Sequence, residues 1–213
     1  MKIVLENIGK RFNREWIFRN VNHEFSVSNK YAILGTNGCG KSTLLQIIAG
    51  AVSQTEGEIK YQTPLPAFPK GERARATDVQ HSPLGGDGGG GLFRYLSFAS
   101  PYLELPEEMT WTEAVKFHGK FKKFVSGFPE EKIIALSGLE SSADKEIRNF
   151  SSGMKQRARL TLAILSDTPL LFLDEPSTNL DANAVKWYQK SLPLIKREDV
   201  KTEILKRIEE LKK

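Results

Sequence analysis

The sequence predicts an α/β fold with a mostly parallel core sheet covered on both faces. Three observations predict it. Strand-like runs alternate with helix-like ones along most of the chain. The runs KYAILG (30–35) and PLLFLDEP (169–176) are apolar almost throughout, as strands buried on both faces are. A glycine-rich stretch joins the first of these strands to a helical pattern, as a strand–turn–helix unit requires.

The elements follow in order. MKIVLENI (1–8) alternates like a strand, and WIFRNVNHEFSV (16–27) can hold a second, short one. After KYAILG, the run KSTLLQIIAGA (41–51) has helical apolar spacing and stops at glycine. GEIKY (57–61) reads as a short strand. Residues 63–91 break the rhythm: proline and glycine dominate, so this is expected to be a flexible surface insert. Arg73 and Arg75 sit in it without interleaved aromatics, so a solvated loop is favoured over a nucleic-acid patch. RYLSFAS (94–100) is strand-like. TWTEAVKF (110–117) opens with a hydroxyl cap and carries Glu113 in its first turn. EEKIIALSGL (130–139) and SSADKEIRNF (141–150) continue as expected helices, and SSGMKQRARLTLAILSD (151–167) as a longer one. The remainder, from Ala182, reads as helix.

Composition bounds the possibilities. The 213 residues are expected to form a single domain over 1–213, and 39% apolar content excludes the disordered class. The net charge of +5 is compatible with an anionic ligand or a membrane-facing protein, and establishes neither. Cys39 is the single cysteine, which excludes an internal disulfide and suits a reducing compartment. The start, MKIVLENIGKRF, carries no secretory pattern, and no run nears the roughly 20 apolar residues that span a bilayer. A membrane role is therefore expected through a partner.

GTNGCGKST, residues 35–43, meets the pattern G-x-x-x-x-G-K-[ST] through Gly35, Gly40, Lys41 and Ser42. Backbone N–H groups must converge on phosphate oxygens, so Thr36, Asn37, Gly38, Cys39 and Thr43 count as binding positions through their main chain. The helix that follows offers unpaired N–H groups and its positive dipole end. Lys41 is placed for the β- and γ-phosphates, and Ser42 for Mg²⁺. LLFLDE (170–175) supplies the second element, an apolar strand ending in acid. Asp174 is the candidate metal-side acid, and Glu175 the candidate base toward water attacking the γ-phosphate. Two adjacent carboxylates at the end of a buried strand are costly without a partner. Together these predict ATP and Mg²⁺ as ligands.

Between the two lies FSSGMKQR (150–157), and here the sequence resembles the ATP-binding cassette (ABC) family. The stretch is similar to that family's signature, LSGGQ-x-x-R. Phe150 stands for the leucine, Ser152 for the first glycine and Met154 for the glutamine, while Ser151, Gly153, Gln156 and Arg157 match. TNLD (178–181) resembles the family's D-loop. The resemblance covers roughly residues 1–60 and 92–190. It implies a P-loop NTPase fold with a small antiparallel β part and a helical subdomain over 107–150 that grips a permease. It further implies a head-to-tail dimer: Ser151, Ser152, Gly153 and Met154 of one chain close on the ATP held by the cradle of the other. Adenine is expected to stack on Phe12, with Trp16 as rival and core packing as the alternative for both.

Three departures from the family pattern accompany the resemblance. Where the family has a glutamine at the end of the strand entering the helical part, this chain offers Ser100 or Pro101. The family's histidine about 30 residues beyond the acidic strand has no counterpart: His23, His81 and His118 all lie upstream. In its place stands KREDVKTEILKRIEELKK (196–213), so 191–213 is expected to be an atypical charged helical terminus with no strand. The 63–91 insert is longer than the family's usual turn. Cys39, inside the cradle, is either a serine substitute or a reactive thiol.

Three functional expectations follow. The first is an ATPase subunit of an ABC transporter, cytoplasmic and peripheral on the inner face of the membrane through a permease, with a second cassette as partner. The second is an ATP-binding dimerisation module with little hydrolysis. The third, a soluble ABC protein acting on ribosomes or nucleic acid, is disfavoured because the chain has one cassette and no basic-aromatic surface.

Overall fold

The computed structural model describes residues 2–26, 29–62, 95–125, 128–191 and 202–206. The expected insert at 63–91, and most of the 191–213 segment, lie outside them.

Two sheets form. In the first, β1 (Lys2–Phe12) is the central strand of an antiparallel trio, with β2 (Glu15–Ser26) on one side and β4 (Glu56–Gln62) on the other. β2 is longer than the short strand expected, because a tight turn after Phe12 returns the chain along β1 for its full length, with irregular register between Leu5 and Arg11. The second sheet is parallel, in the order β3 (Lys30–Ile33), β7 (Thr202–Lys206), β6 (Leu170–Leu173), β5 (Leu96–Ala99).

β7 corrects one expectation. Residues 202–206 are strand, not helix, and their backbone pairs in parallel with β3 on one side and β6 on the other. The charge spacing of the terminal segment favours helix locally. A sheet interior, however, requires a ladder partner for every backbone group, and that requirement prevails.

β6 shows why its sequence reads as continuous apolar. Leu170 and Phe172 face one core, with Ile3, Leu5 and Ile8 of β1 and Leu45, Ile47 and Ile48 of helix α1 (Lys41–Ile48). Leu171 and Leu173 face the other core. Successive side chains alternate between faces, and all four are buried. α1 thus lies between the two sheets, as the buried-strand argument requires.

The second core is helical. It joins α2 (Trp111–Phe121), α3 (Glu130–Ser137), α4 (Ser152–Leu165) and α5 (Ala182–Ser191). α2 starts where the sequence predicts: Thr110 accepts from the Glu113 N–H while Glu113 reaches back to the Thr110 N–H, a reciprocal cap. Trp111, fully buried, donates its indole N–H to Ser137 Oγ at 3.1 Å. α3 stops at Gly138, whose φ of 64° suits the left-handed position.

The stretch 141–150 is not the helix expected. It carries short 3-10 turns at Glu140–Ser142 and Ile147–Asn149. Its backbone bonds reach outward: the Ile147 N–H donates to Met109 O, the Arg148 N–H to Glu107 O, and Ala143 O accepts from the Thr112 N–H. Pairing with 107–112 uses groups that a continuous helix needs for itself.

Candidate active site

The loop between β3 and α1 presents the cradle. Gly40 precedes the helix with φ 92°, and a Cβ there would meet Ile17 Cγ2 at 2.4 Å and Phe18 Cδ1 at 2.9 Å. Only glycine fits both the dihedral and the space. No side chain caps the first turn of α1, so its leading amides, at Lys41, Ser42 and Thr43, face outward for an anion. Gly38 (φ 81°) has open space beside it, and Thr36, Asn37 and Cys39 are exposed on the same loop.

Lys41 folds over this loop. Its ammonium donates to Gly35 O at 2.8 Å and Thr36 O at 2.6 Å, and lies 3.8 Å from Cys39 Sγ. Neutral carbonyls hold the cation in place, and a phosphate would replace them with charged acceptors, which bond about twice as strongly.

Asp174, at the end of β6, has no exposed surface. Its N–H continues the ladder to Ala99 O at 2.8 Å. Ser42 Oγ donates to Oδ1 at 3.2 Å, across 132 positions of sequence. Ser100 Oγ donates to Oδ2 at 3.4 Å. Cradle and acidic strand therefore meet at the carboxylate. The donor set is all hard oxygen, which suits Mg²⁺, an ion that takes one or two carboxylates and completes its shell with waters and phosphate oxygens. No cluster of three His, Cys, Asp or Glu side chains that could hold a metal occurs among the described residues.

Glu175 adopts φ 44°, a left-handed conformation that costs a non-glycine residue of the order of 1 kcal/mol and recurs at functional sites. A turn maintains it: the Thr178 N–H donates to Glu175 O at 3.0 Å, and Thr178 Oγ1 to its carboxylate at 3.2 Å. Behind this turn, Gln156 of α4 is completely buried and donates Nε2–H to Pro176 O at 3.3 Å. Its Oε1 has no partner.

The signature stretch lies apart from the cradle. Ser151 caps α4, accepting from the Met154 N–H at 3.2 Å. Ser151, Ser152, Gly153 and Met154 line an open groove of ≈ 450 Å³ with Arg157 and Asn179, and no residue of 35–43 shares it. Gly153 packs closely on the following turn: a Cβ there would stand 2.9 Å from Asn179 O.

The aromatic candidates separate. Phe12 is 48% exposed, so core packing is excluded for it, and the Lys10 ammonium lies 4.7 Å from its ring. Trp16 is half-buried, with Arg19 at 4.2 Å and Arg11 at 5.3 Å from its ring. Ile17 and Phe18, beside Gly40, form the wall behind the cradle. Sequence reasoning did not single them out, although they sit next to Trp16.

Both described histidines have structural surroundings. His23 packs edge-on against Phe25 and Tyr31. His118 bonds Ser166 Oγ at 2.7 Å and stacks on Phe124. Burial, aided by the Lys122 charge, lowers its pKa to about 4.

Comparison with known proteins agrees with this geometry. The family model described as ABC transporter matches residues 18–178. The energy-coupling factor transporter ATP-binding protein EcfA1 of Thermotoga maritima is 31% identical over 198 residues, covering 93% of this chain and 70% of that protein. The Fe(3+) ions import ATP-binding protein FbpC of Escherichia coli O157:H7 is 29% identical over 182 residues, covering 85% of this chain. The chain spans about half (47%) of that importer protein's length. Among solved structures, the dimeric ATP-binding cassette MJ0796, in a post-hydrolysis state with ADP and Pi, superposes with a TM-score of 0.69 at 21% identity, covering 96% of this chain and 87% of that one. The expected P-loop NTPase fold is therefore observed, and the chain belongs to the ABC transporter family as an ATP-binding cassette.

Proposed function

We propose that the chain is the ATP-hydrolysing subunit of a transporter, working as a head-to-tail dimer with a second cassette and driving a membrane permease. One observation carries this reading: Ser42 and Asp174, 132 positions apart, meet at 3.2 Å beside Lys41. Lys41 and the amides of the first turn of α1 hold the β- and γ-phosphates. Ser42 and Asp174 hold Mg²⁺, which neutralises charge developing on the phosphates. Glu175 orients and deprotonates the attacking water. Ser151, Ser152, Gly153 and Met154 complete the site of the opposite cassette. Their groove is separate from the chain's own cradle, which supports a shared site over a self-contained one.

No helix among the described residues is long and apolar enough to cross a membrane. A peripheral position on the inner face of the cell membrane, reached through a permease seated on residues 107–150, fits that observation. One relative above is named for Fe(3+) import and another for an energy-coupling factor transporter, and the transported solute is assigned here to the permease.

A second reading rests on the sequence. With no histidine from residue 119 to 213, and Ser100 or Pro101 where the family has a glutamine, the cassette binds ATP and dimerises but turns over slowly. Phosphate release by the wild type and Glu175→Gln separates the two. A wild-type rate exceeding the variant's by a hundredfold or so supports the ATPase, in the range of a lost catalytic base. Equal, slow rates with intact ATP binding leave the dimerisation module. Loss of ATP affinity in Lys41→Ala is expected under both readings.

A further inference from the structure

We propose that Ser100 is a positioning residue for the divalent cation that accompanies the nucleotide: its hydroxyl holds one oxygen of Asp174 and so directs the other toward Ser42. The inference rests on the nucleotide-binding reading above and concerns this chain's own departure from the family pattern.

The two oxygens of Asp174 are divided between two hydroxyls on different elements. Oδ1 accepts from Ser42, at the start of α1, and Oδ2 from Ser100, just past the end of β5. Ser100 is 1% exposed and Asp174 has no exposed surface. A buried polar oxygen is costly without donors, and carboxylate oxygens are the ligands a hard cation prefers.

The Ser100 hydroxyl is itself oriented. Its oxygen accepts from the Tyr102 N–H at 3.4 Å, and the Ser100 carbonyl accepts from the Leu103 N–H at 3.1 Å. A hydroxyl has one proton. With its oxygen facing the Tyr102 amide, that proton points at Asp174. The tight turn at 100–103 thus fixes the donor, the donor fixes Oδ2, and Oδ1 is left facing Ser42.

Groups that orient a metal ligand typically change metal affinity by about 10–100-fold when removed. The test uses the full chain with a non-hydrolysable ATP analogue, titrated with Mn²⁺ and followed by electron paramagnetic resonance. Analogue affinity is measured separately in EDTA. Ser100→Ala is expected to weaken Mn²⁺ binding at least tenfold while analogue affinity in EDTA stays at the wild-type value. Ser100→Thr, which keeps the hydroxyl, is expected to bind Mn²⁺ as the wild type does. Should Ser100→Ala fail to fold, Ser100→Cys, similar in shape but a weak donor, is expected to show the same loss. Wild-type Mn²⁺ affinity in a folded Ala or Cys variant overturns the proposal and leaves the nucleotide-binding reading intact. Absence of analogue binding to the wild type overturns that reading instead.

Discussion

Gln156 and Pro176 join the signature helix to the turn that carries the candidate base. The amide of Gln156 donates to the Pro176 carbonyl at 3.3 Å from a completely buried position, one residue beyond Glu175 and its left-handed backbone. Gly153 and Asn179 make a second close approach between the same two segments. A helix whose first turn is assigned, in the proposed dimer, to the opposite cassette is thereby packed against the turn that carries the candidate base. Gln156→Leu removes the donor and leaves a buried carbonyl unpaired, at a cost of about 1–3 kcal/mol. The expected signature is a fall in kcat of about tenfold with KM for ATP little changed, because the turn bearing Glu175 relaxes while the cradle does not. Steady-state kinetics at matched urea stability checks it.

Cys39 predicts chemical protection. Its thiol is exposed and stands 3.8 Å from the Lys41 ammonium, on the loop assigned to the phosphates. Alkylation by N-ethylmaleimide adds bulk to this loop, so nucleotide binding is expected to be lost, and saturating ATP is expected to slow the labelling. Full ATP affinity after complete modification contradicts the phosphate assignment of the loop. Cys39→Ser is expected to bind ATP normally and to resist the reagent.

The exposed ring of Phe12 separates stacking from packing. Losing a base–aromatic stack costs about 1–3 kcal/mol, so Phe12→Ala is expected to weaken ATP binding roughly tenfold. Removing so exposed a side chain leaves the unfolding midpoint nearly unchanged. If Trp16→Ala shows the larger loss of affinity, the adenine platform is Trp16, between its two arginines. Isothermal titration of the two variants decides.

His118 predicts an acid-sensitive step in stability. Its folded pKa lies near 4, against an ordinary value of 6.5, so the unfolded chain takes the proton first. The stabilisation is complete above pH 6.5 and lost as pH falls toward 4. Between about pH 7.5 and 5 this amounts to roughly 2 kcal/mol. His118→Gln keeps a hydrogen-bonding group toward Ser166 without the charge change. Urea denaturation of this variant is expected to show a shallower decline over the same interval. An identical decline in both proteins contradicts the assignment.

Much of the fold was legible because its signals are local. The KYAIL strand, the glycine loop and the apolar LLQII run of α1 lie in one continuous stretch, and backbone geometry at Gly40 explains the need for glycine there. LLFL read as a buried strand because both its faces are covered. Ser42 and Asp174, singled out by residue type, meet in space, while Lys41 bonds the carbonyls of its own loop. What escaped depends on distant partners. The backbone of 107–112 draws 141–150 out of a helix. The gap between β3 and β6 makes a strand of residues 202–206, within a segment whose charge spacing favours helix. Ser100 was marked only as one of two residues at the family's glutamine place, and its bond to a carboxylate 74 positions away is visible only in the fold.

The place of β7 also sets an order of assembly during synthesis. β3, which leads into the cradle, and β6, which ends in Asp174, are not neighbours: the backbone of residues 202–206 stands between them. A nascent chain makes both Lys41 and Asp174 before residues 202–206. Until those residues follow, the two halves lack the ladder that sets their spacing. Competence to hold a nucleotide is therefore expected only once residues 202–206 have been made, and not with the candidate binding residues alone.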